Sequence, residues 1–212
     1  MNKRVTVVDY GIGNLFSVQR ALETVGAEVR VSGDPRDIES ADRLVLPGVG
    51  AFADGMQGLR DRGLVEPVLA FAASQRPLLG ICLGMQMFAT SSLEFGTHAG
   101  LAIIPGRVAA IPSVSTTGLP LKIPNVGWRE LSTAGADWSR TALSGTRRGD
   151  AVYLVHSFHL VPDDPADVLA TYDHGGHAVT AAVARGNVIG CQFHPEKSAS
   201  VGLAILSHFA SS

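Results

Sequence analysis

Charge, cysteine and aromatic rings are all scarce in this chain. Of its 212 residues, 17% are charged, 6% are aromatic and two are cysteine, and the formal net charge is −2. A balance so close to neutral leaves no basic footprint for nucleic acid or an anionic membrane surface. Cys82 and Cys191 are too few for a disulfide framework, so the expected setting is reduced and cytoplasmic. No apolar run approaches the roughly 18 residues of a membrane span. The opening MNKRVTVVDYG loses its apolar run at Asp9, too soon for a secretory signal, and reads as a first strand. A dinucleotide fingerprint and a Walker phosphate loop are missing as well. GIGNLF breaks the glycine spacing, so no nucleotide cofactor is expected.

Apolar side chains are plentiful, at 46%, which is ample for one core. The length suits one domain across residues 1–212. Up to about residue 90, short apolar runs alternate with helix-period segments. Strands are expected at Arg4 to Asp9, Glu28 to Val31, Arg43 to Leu46 and Pro77 to Ile81. Helices are expected at Leu15 to Val25, across Phe52 to Ser74 as one or two around Pro67, and at Leu83 to Ala89. Such alternation implies right-handed crossovers and a mostly parallel central sheet flanked by helices. Beyond Gly100, prolines and SVSTTG give way to Val152 to Phe158, Val168 to Tyr172, Ala178 to Ala184 and Val188 to Phe193. The turn signals HGGH and RGN between them predict an antiparallel, strand-rich second half, closed by a helix at Val201 to Phe209. The expected class is therefore α/β.

Three separated stretches carry chemistry. GICLGMQ, residues 80 to 86, sets Cys82 between a strand and a helix and flanks it with Gly80 and Gly84. This is the shape of a nucleophile elbow, with the helix N-terminus favouring thiolate. QFHPEKS puts His194 and Glu196 on either side of Pro195, and an extended i, i+2 pair would face the same way. The carboxylate would then hold the imidazole tautomer while Nε2 serves the thiol. LPGVGAF ends a strand with Gly48 and Gly50, whose backbone N–H groups suit an oxyanion. Gly50 and the N–H of Leu83 are the candidate donors, each worth roughly 2–4 kcal/mol. Thiol, base and oxyanion loop together point to acyl transfer through a thioester. The cluster Asp173, His174 and His177 sits on a flexible glycine turn and is not read as a metal site. His98, His156, His159 and His208 have no ligand-spaced partners, and Cys191 reads as core packing.

GICLGMQ with HPE resembles the class I, or triad, glutamine amidotransferases, over the whole chain. VVDYGIGNLFSVQRAL, LPGVGAF, KIPNVGW, YLVHSF and FHPEKS look like those of the glutaminase subunits of imidazole glycerol phosphate synthases. The resemblance implies L-glutamine as substrate, attacked by Cys82, with Gln86 and Glu94 holding its amino acid end. Gly48, Ser157 and Phe158 match further substrate-binding positions. It also implies a (β/α)₈ cyclase partner that receives the ammonia, with Asn14, Trp128, Tyr153 and Lys197 near the contact. No metal or cofactor is implied. Two positions depart from the family pattern: Asn125 stands where histidine is usual, and Ala102 where glycine is usual. Similar glutaminase subunits also serve amidino-sugar synthesis, which stays open beside the histidine-pathway reading. A catalytically silent binding module and a cysteine peptidase on the same fold are the competing classes. The retained Cys and His oppose the first, and Gln86 and Glu94 oppose the second.

Overall fold

A computed structural model describes residues 4–212; the basic Lys3 of the opening stretch lies outside them. Its elements run β1 (Arg4–Val8), α1 (Leu15–Thr24), β2 (Glu28–Ser32), α2 (Pro35–Glu39), β3 (Leu44–Leu46), α3 (Phe52–Asp61), α4 (Val65–Ala73), β4 (Leu78–Ile81) and α5 (Leu83–Gln86). There follow β5 (Ser91–Ser92), β6 (His98–Ala99), β7 (Gly106–Ala110), β8 (Asn125–Glu130), β9 (Ala151–His156), β10 (Phe158–Pro162), β11 (Val168–His174), β12 (His177–Arg185), β13 (Val188–Cys191) and α6 (Ala199–Ser211).

Seven strands form the central sheet in the order β11-β12-β13-β4-β3-β1-β2. Pairing is parallel from β13 through β4, β3 and β1 to β2, and antiparallel at β11-β12 and β12-β13. The sheet is mixed, as the expected parallel front and antiparallel rear require. The inner parallel strands β1, β3 and β4 are buried on both faces because helices cover both, whereas the edge strand β2 is not. Side-chain alternation divides them between two cores: Val5, Val7, Val45, Leu79 and Ile81 face α1 and α6, while Val8, Leu44, Leu46 and Leu78 face α3 and α4. The β11–β12 hairpin turns on Gly175 and Gly176 at φ +64° and +87°, the left-handed pair that a two-residue turn needs.

Several boundaries differ from expectation, each for a local reason. The Phe52 to Ser74 segment breaks at Gly63, φ +65°, and not at Pro67, which sits in the first turn of α4, where a missing N–H costs little. The run Val152 to Phe158 is two strands. It breaks at Ser157, so that β9 pairs with β8 while β10 pairs with β7 in a second, four-stranded sheet. The run Val188 to Phe193 stops pairing at Cys191. The helix expected at Leu83 to Ala89 is one turn only. Helix α2 escaped the periodic reading because it is so short; Asp34 caps it through the Arg36 N–H, with Pro35 at its first position.

Among the described residues no helix is long and apolar enough to cross a membrane, and no group of His, Cys, Asp and Glu is arranged to hold a metal ion.

Candidate active site

Strands β4 and β13 lie side by side, with Ile81 opposite Cys191, and their C-terminal ends bring residues 82 and 194 to one sheet edge. The Cys82 N–H extends the ladder, donating to the Cys191 carbonyl at 2.7 Å. The chain then reverses: Cys82 has φ +54° and ψ −109°, a conformation that L-residues avoid. Both flanking glycines are needed for contact. A Cβ on Gly84 would lie 1.8 Å from the Leu46 carbonyl oxygen, and one on Gly80 would meet Phe88 and Met85 at 2.5–2.8 Å. The elbow is thus wedged between β3 and its own helix. That helix, α5, has four residues, too few for the macrodipole expected from the sequence.

The base arrives differently. His194 and Glu196 do not share an extended segment, because Pro195–Lys197 form a 3₁₀ turn. That turn still brings His194 Nδ1 within 2.9 Å of Glu196 Oε1, with side chains only 2% and 1% exposed. His194 Nε2 has no partner at ordinary hydrogen-bond distance, yet Cys82 lies near enough to raise its proton affinity. Burial alone would push this imidazole down. Cys82 and the Glu196 carboxylate outweigh it and raise the group to about 9. Cys191, fully buried and facing the Glu196 charge, is driven far above the ordinary thiol value and is inert packing.

A cavity of about 320 Å³ opens onto this edge. It is lined by Cys82, Leu83, Gly50, Gln86, Glu94, His194, Ser157 and Phe158, among others. Phe95 stands at its mouth, 87% exposed and edge-on to Phe158. A larger cleft, near 570 Å³, lies beside Arg140, Asn187 and His208 and holds none of the paired groups.

The sequence-derived residues distribute unevenly around this cavity. Gly48 is absent from the wall; it packs under Tyr10 and Leu83, and its carbonyl accepts the Leu83 N–H at 3.3 Å. That donor is therefore engaged within the protein. Gly50, at φ +93° with open space where a Cβ would be, is the free-turning member of the loop. Glu94 Oε2 accepts the Phe52 N–H at 2.7 Å, and so caps the N-terminus of α3, which has no side-chain cap of its own. Gln86 spends both amide hydrogens on the Phe158 carbonyl and Gln192 Oε1. The Ser157 carbonyl accepts the Ile111 N–H.

Trp128 and Tyr153 face each other across the β8–β9 ribbon, rings edge-to-face at 6.1 Å, and Val126 pairs with Val155 beside them. Trp128 and Val126 are 49% and 50% exposed, an apolar face next to the cavity mouth, since Val155 lines both. Lys197 is exposed, whereas Asn14, ahead of α1, is half-buried. Asn125 is only 2% exposed and lies beneath this face, not on it. Ala102 adopts φ +53°, so the glycine usual there is a conformational requirement that alanine meets under strain. In the HGGH turn, His177 Nε2 bonds to the Val114 carbonyl, and His174 is buried against Tyr172.

Sequence reasoning passed over Gln192, which is 0% exposed and sends its amide nitrogen to Cys82 Sγ at 3.7 Å. The signal was present: a lone amide at the end of the apolar strand VIGC has to be buried with a partner.

An elbow thiol, a carboxylate-held imidazole and an open cavity beside them are the parts that cysteine-based acyl transfer requires. The chain belongs to the class-I glutamine amidotransferase family, whose model matches residues 6–211. It is 49% identical over 207 residues to the imidazole glycerol phosphate synthase subunit HisH 1 of Legionella pneumophila (strain Lens), covering 97% of each chain. It is 50% identical over 208 residues to the subunit HisH of Syntrophotalea carbinolica, covering 97% of this chain and 98% of that one. Among solved structures, PurLQS from Thermotoga maritima shares the fold, with a TM-score of 0.76 at 20% identity over all of this chain and 99% of that one.

Proposed function

We propose that this chain is the glutaminase subunit of an imidazole glycerol phosphate synthase. It hydrolyses L-glutamine to L-glutamate and ammonia, and passes the ammonia to a (β/α)₈ cyclase partner in a reduced, cytoplasmic setting. One observation carries the reading: Cys82, His194 and Glu196 meet at a single sheet edge, in a chain about half identical to HisH subunits over nearly its whole length.

In this reading the Cys82 sulfur attacks the side-chain carbonyl carbon of glutamine. His194, kept protonated by its interactions with Cys82 and Glu196, gives its Nε2 proton to the leaving nitrogen, and ammonia departs. A glutamyl thioester remains. Water attacks it, His194 takes the water's proton, and glutamate and thiolate are released. Gln86 and Glu94 line the pocket for the amino acid end, together with Ser157 and Phe158. The intermediate's oxyanion draws on Leu83 and Gly50. Because the Leu83 N–H is bonded to the Gly48 carbonyl, that loop must turn before the donor is free, which makes the isolated subunit slow and a partner activating. The apolar face of Val126, Trp128, Tyr153 and Val155, with Lys197 on the turn that packs on β9, suits the cyclase, and Asn14 is a further contact in this reading.

Cys82→Ala tests this directly. In the complex, glutamine-dependent turnover should fall roughly 10⁴-fold while added ammonia is still used. Retained glutamine turnover removes Cys82 as nucleophile. Copurification with a sugar-modifying enzyme in place of a cyclase moves the pathway to amidino-sugar synthesis.

A further inference from the structure

Along and beneath the cavity wall, one hydrogen-bonded line leads from the apolar ribbon to the sulfur of Cys82. It starts at Arg129, whose Nη2 donates to Asn125 Oδ1, and Asn125 Nδ2 donates to the Tyr172 hydroxyl at 3.1 Å. The hydroxyl lies 2.9 Å from His156 Nε2, and His156 Nδ1 lies 2.8 Å from the Phe158 carbonyl oxygen. A carbonyl only accepts, so His156 carries its proton on Nδ1 and receives the Tyr172 O–H at Nε2. The same carbonyl accepts Gln86 Nε2 at 2.9 Å. The second Gln86 hydrogen goes to Gln192 Oε1 at 3.1 Å, and Gln192 Nε2 reaches Cys82 Sγ at 3.7 Å.

Along the line Asn125, Tyr172, His156, Gln86 and Gln192 are at most 6% exposed, and of these Gln86 and His156 also border the cavity. Burial holds His156 down at about 4 and Tyr172 up at about 12, so both are neutral near pH 7. Each donor then has one acceptor and no freedom to reverse. Breaking one bond leaves its neighbour unpaired in a dry interior, and the remainder reorients.

We infer that Gln192 and Tyr172 are positioning residues for the cysteine: Gln192 holds the sulfur through its amide N–H, and Tyr172 holds Gln192 through His156, the Phe158 carbonyl and Gln86. Arg129 ends the line directly beneath the exposed Val126 and Trp128, so whatever covers that face bears on the thiol. The inference rests on the reading of Cys82 as nucleophile.

Alkylation of the isolated chain by iodoacetamide tests it without glutamine or partner, because Cys191 is completely buried and silent. Gln192→Glu keeps an oxygen for Gln86 but turns a carboxylate oxygen toward the sulfur; alkylation of Cys82 should slow about 10-fold. Tyr172→Phe removes only a hydroxyl and should change the rate about 3-fold, with glutamine kcat falling and KM little moved. Asn125→Asp keeps the acceptor for Arg129 and deletes the N–H to Tyr172; it should shift the rate the same way, and it carries the test if Tyr172→Phe does not fold. Wild-type alkylation rates in the folded variants overturn the relay, as does slowing confined to Gln192→Glu. Cys82→Ala separates the two readings. If it loses both label and glutamine hydrolysis while the other variants behave as wild type, the relay alone fails.

Discussion

The two halves of the proposed reactive pair are held by opposite means. Cys82 sits on strained backbone, φ +54°, wedged by glycines that leave no room for a methyl group. His194, on the neighbouring strand end, has an ordinary φ of −98° and ψ of 97°. Its turn is tied down by hydrogen bonds instead. The His194 N–H donates to the Tyr153 carbonyl at 3.0 Å, and the buried Ser198 hydroxyl donates to the His194 carbonyl while accepting the Tyr153 N–H. The proposed nucleophile is thus set by steric exclusion and the proposed base by a polar clasp. A single methyl group should break the first, whereas the second should loosen by degrees.

The sharpest way to break this contrast is Gly84→Ala. Its Cβ would sit inside the contact radius of the Leu46 carbonyl, and backbone cannot yield as a side chain can. A loss above roughly 3 kcal/mol is expected in the denaturant midpoint. Next comes Glu196→Gln, which keeps the shape of the carboxylate at His194 Nδ1 and removes its charge. kcat/KM for glutamine should drop about 100-fold. The pH profile should move as well. The carboxylate helps raise His194 to about 9, so the imidazolium of the variant loses its proton at lower pH, and the alkaline limb shifts downward. Ser198→Ala deletes the hydroxyl joining the turn to β9. It should cost about 1–2 kcal/mol in thermal or denaturant unfolding, with Cys82 alkylation little changed. The smallest effect belongs to Ala102→Gly, which relieves the positive φ of an exposed residue. A gain of up to about 1 kcal/mol is expected, reduced by the entropy that glycine adds to the unfolded chain.

The same contrast explains what could be read from the sequence. Steric devices are local: Gly-Ile-Cys-Leu-Gly after an apolar strand announces the elbow, because only glycine tolerates those contacts. The buried β-branched runs likewise announce the parallel strands. Polar clasps are not local. His194 and Glu196 were legible as a pair, but the 3₁₀ turn that joins them depends on bonds to Tyr153 and Ser198, which no spacing reveals. The break at Ser157, which sends β9 and β10 to different sheets, is equally tertiary in origin. So is the engagement of Gln86 with Phe158 and Gln192, residues 72 and 106 positions away. Asn125 looked like a change at a contact surface. It is a buried link beneath that surface, and only the register of β8 against β9, with Asn125 opposite His156, makes this plain.

The most direct measurement is to quench the protein in acid during turnover of isotopically labelled glutamine, digest it and locate the label. A glutamyl group bound through sulfur to the Cys82 peptide, and missing from Cys82→Ala, is the predicted result. Continued hydrolysis with no label at Cys82, or with label on another residue, contradicts the account.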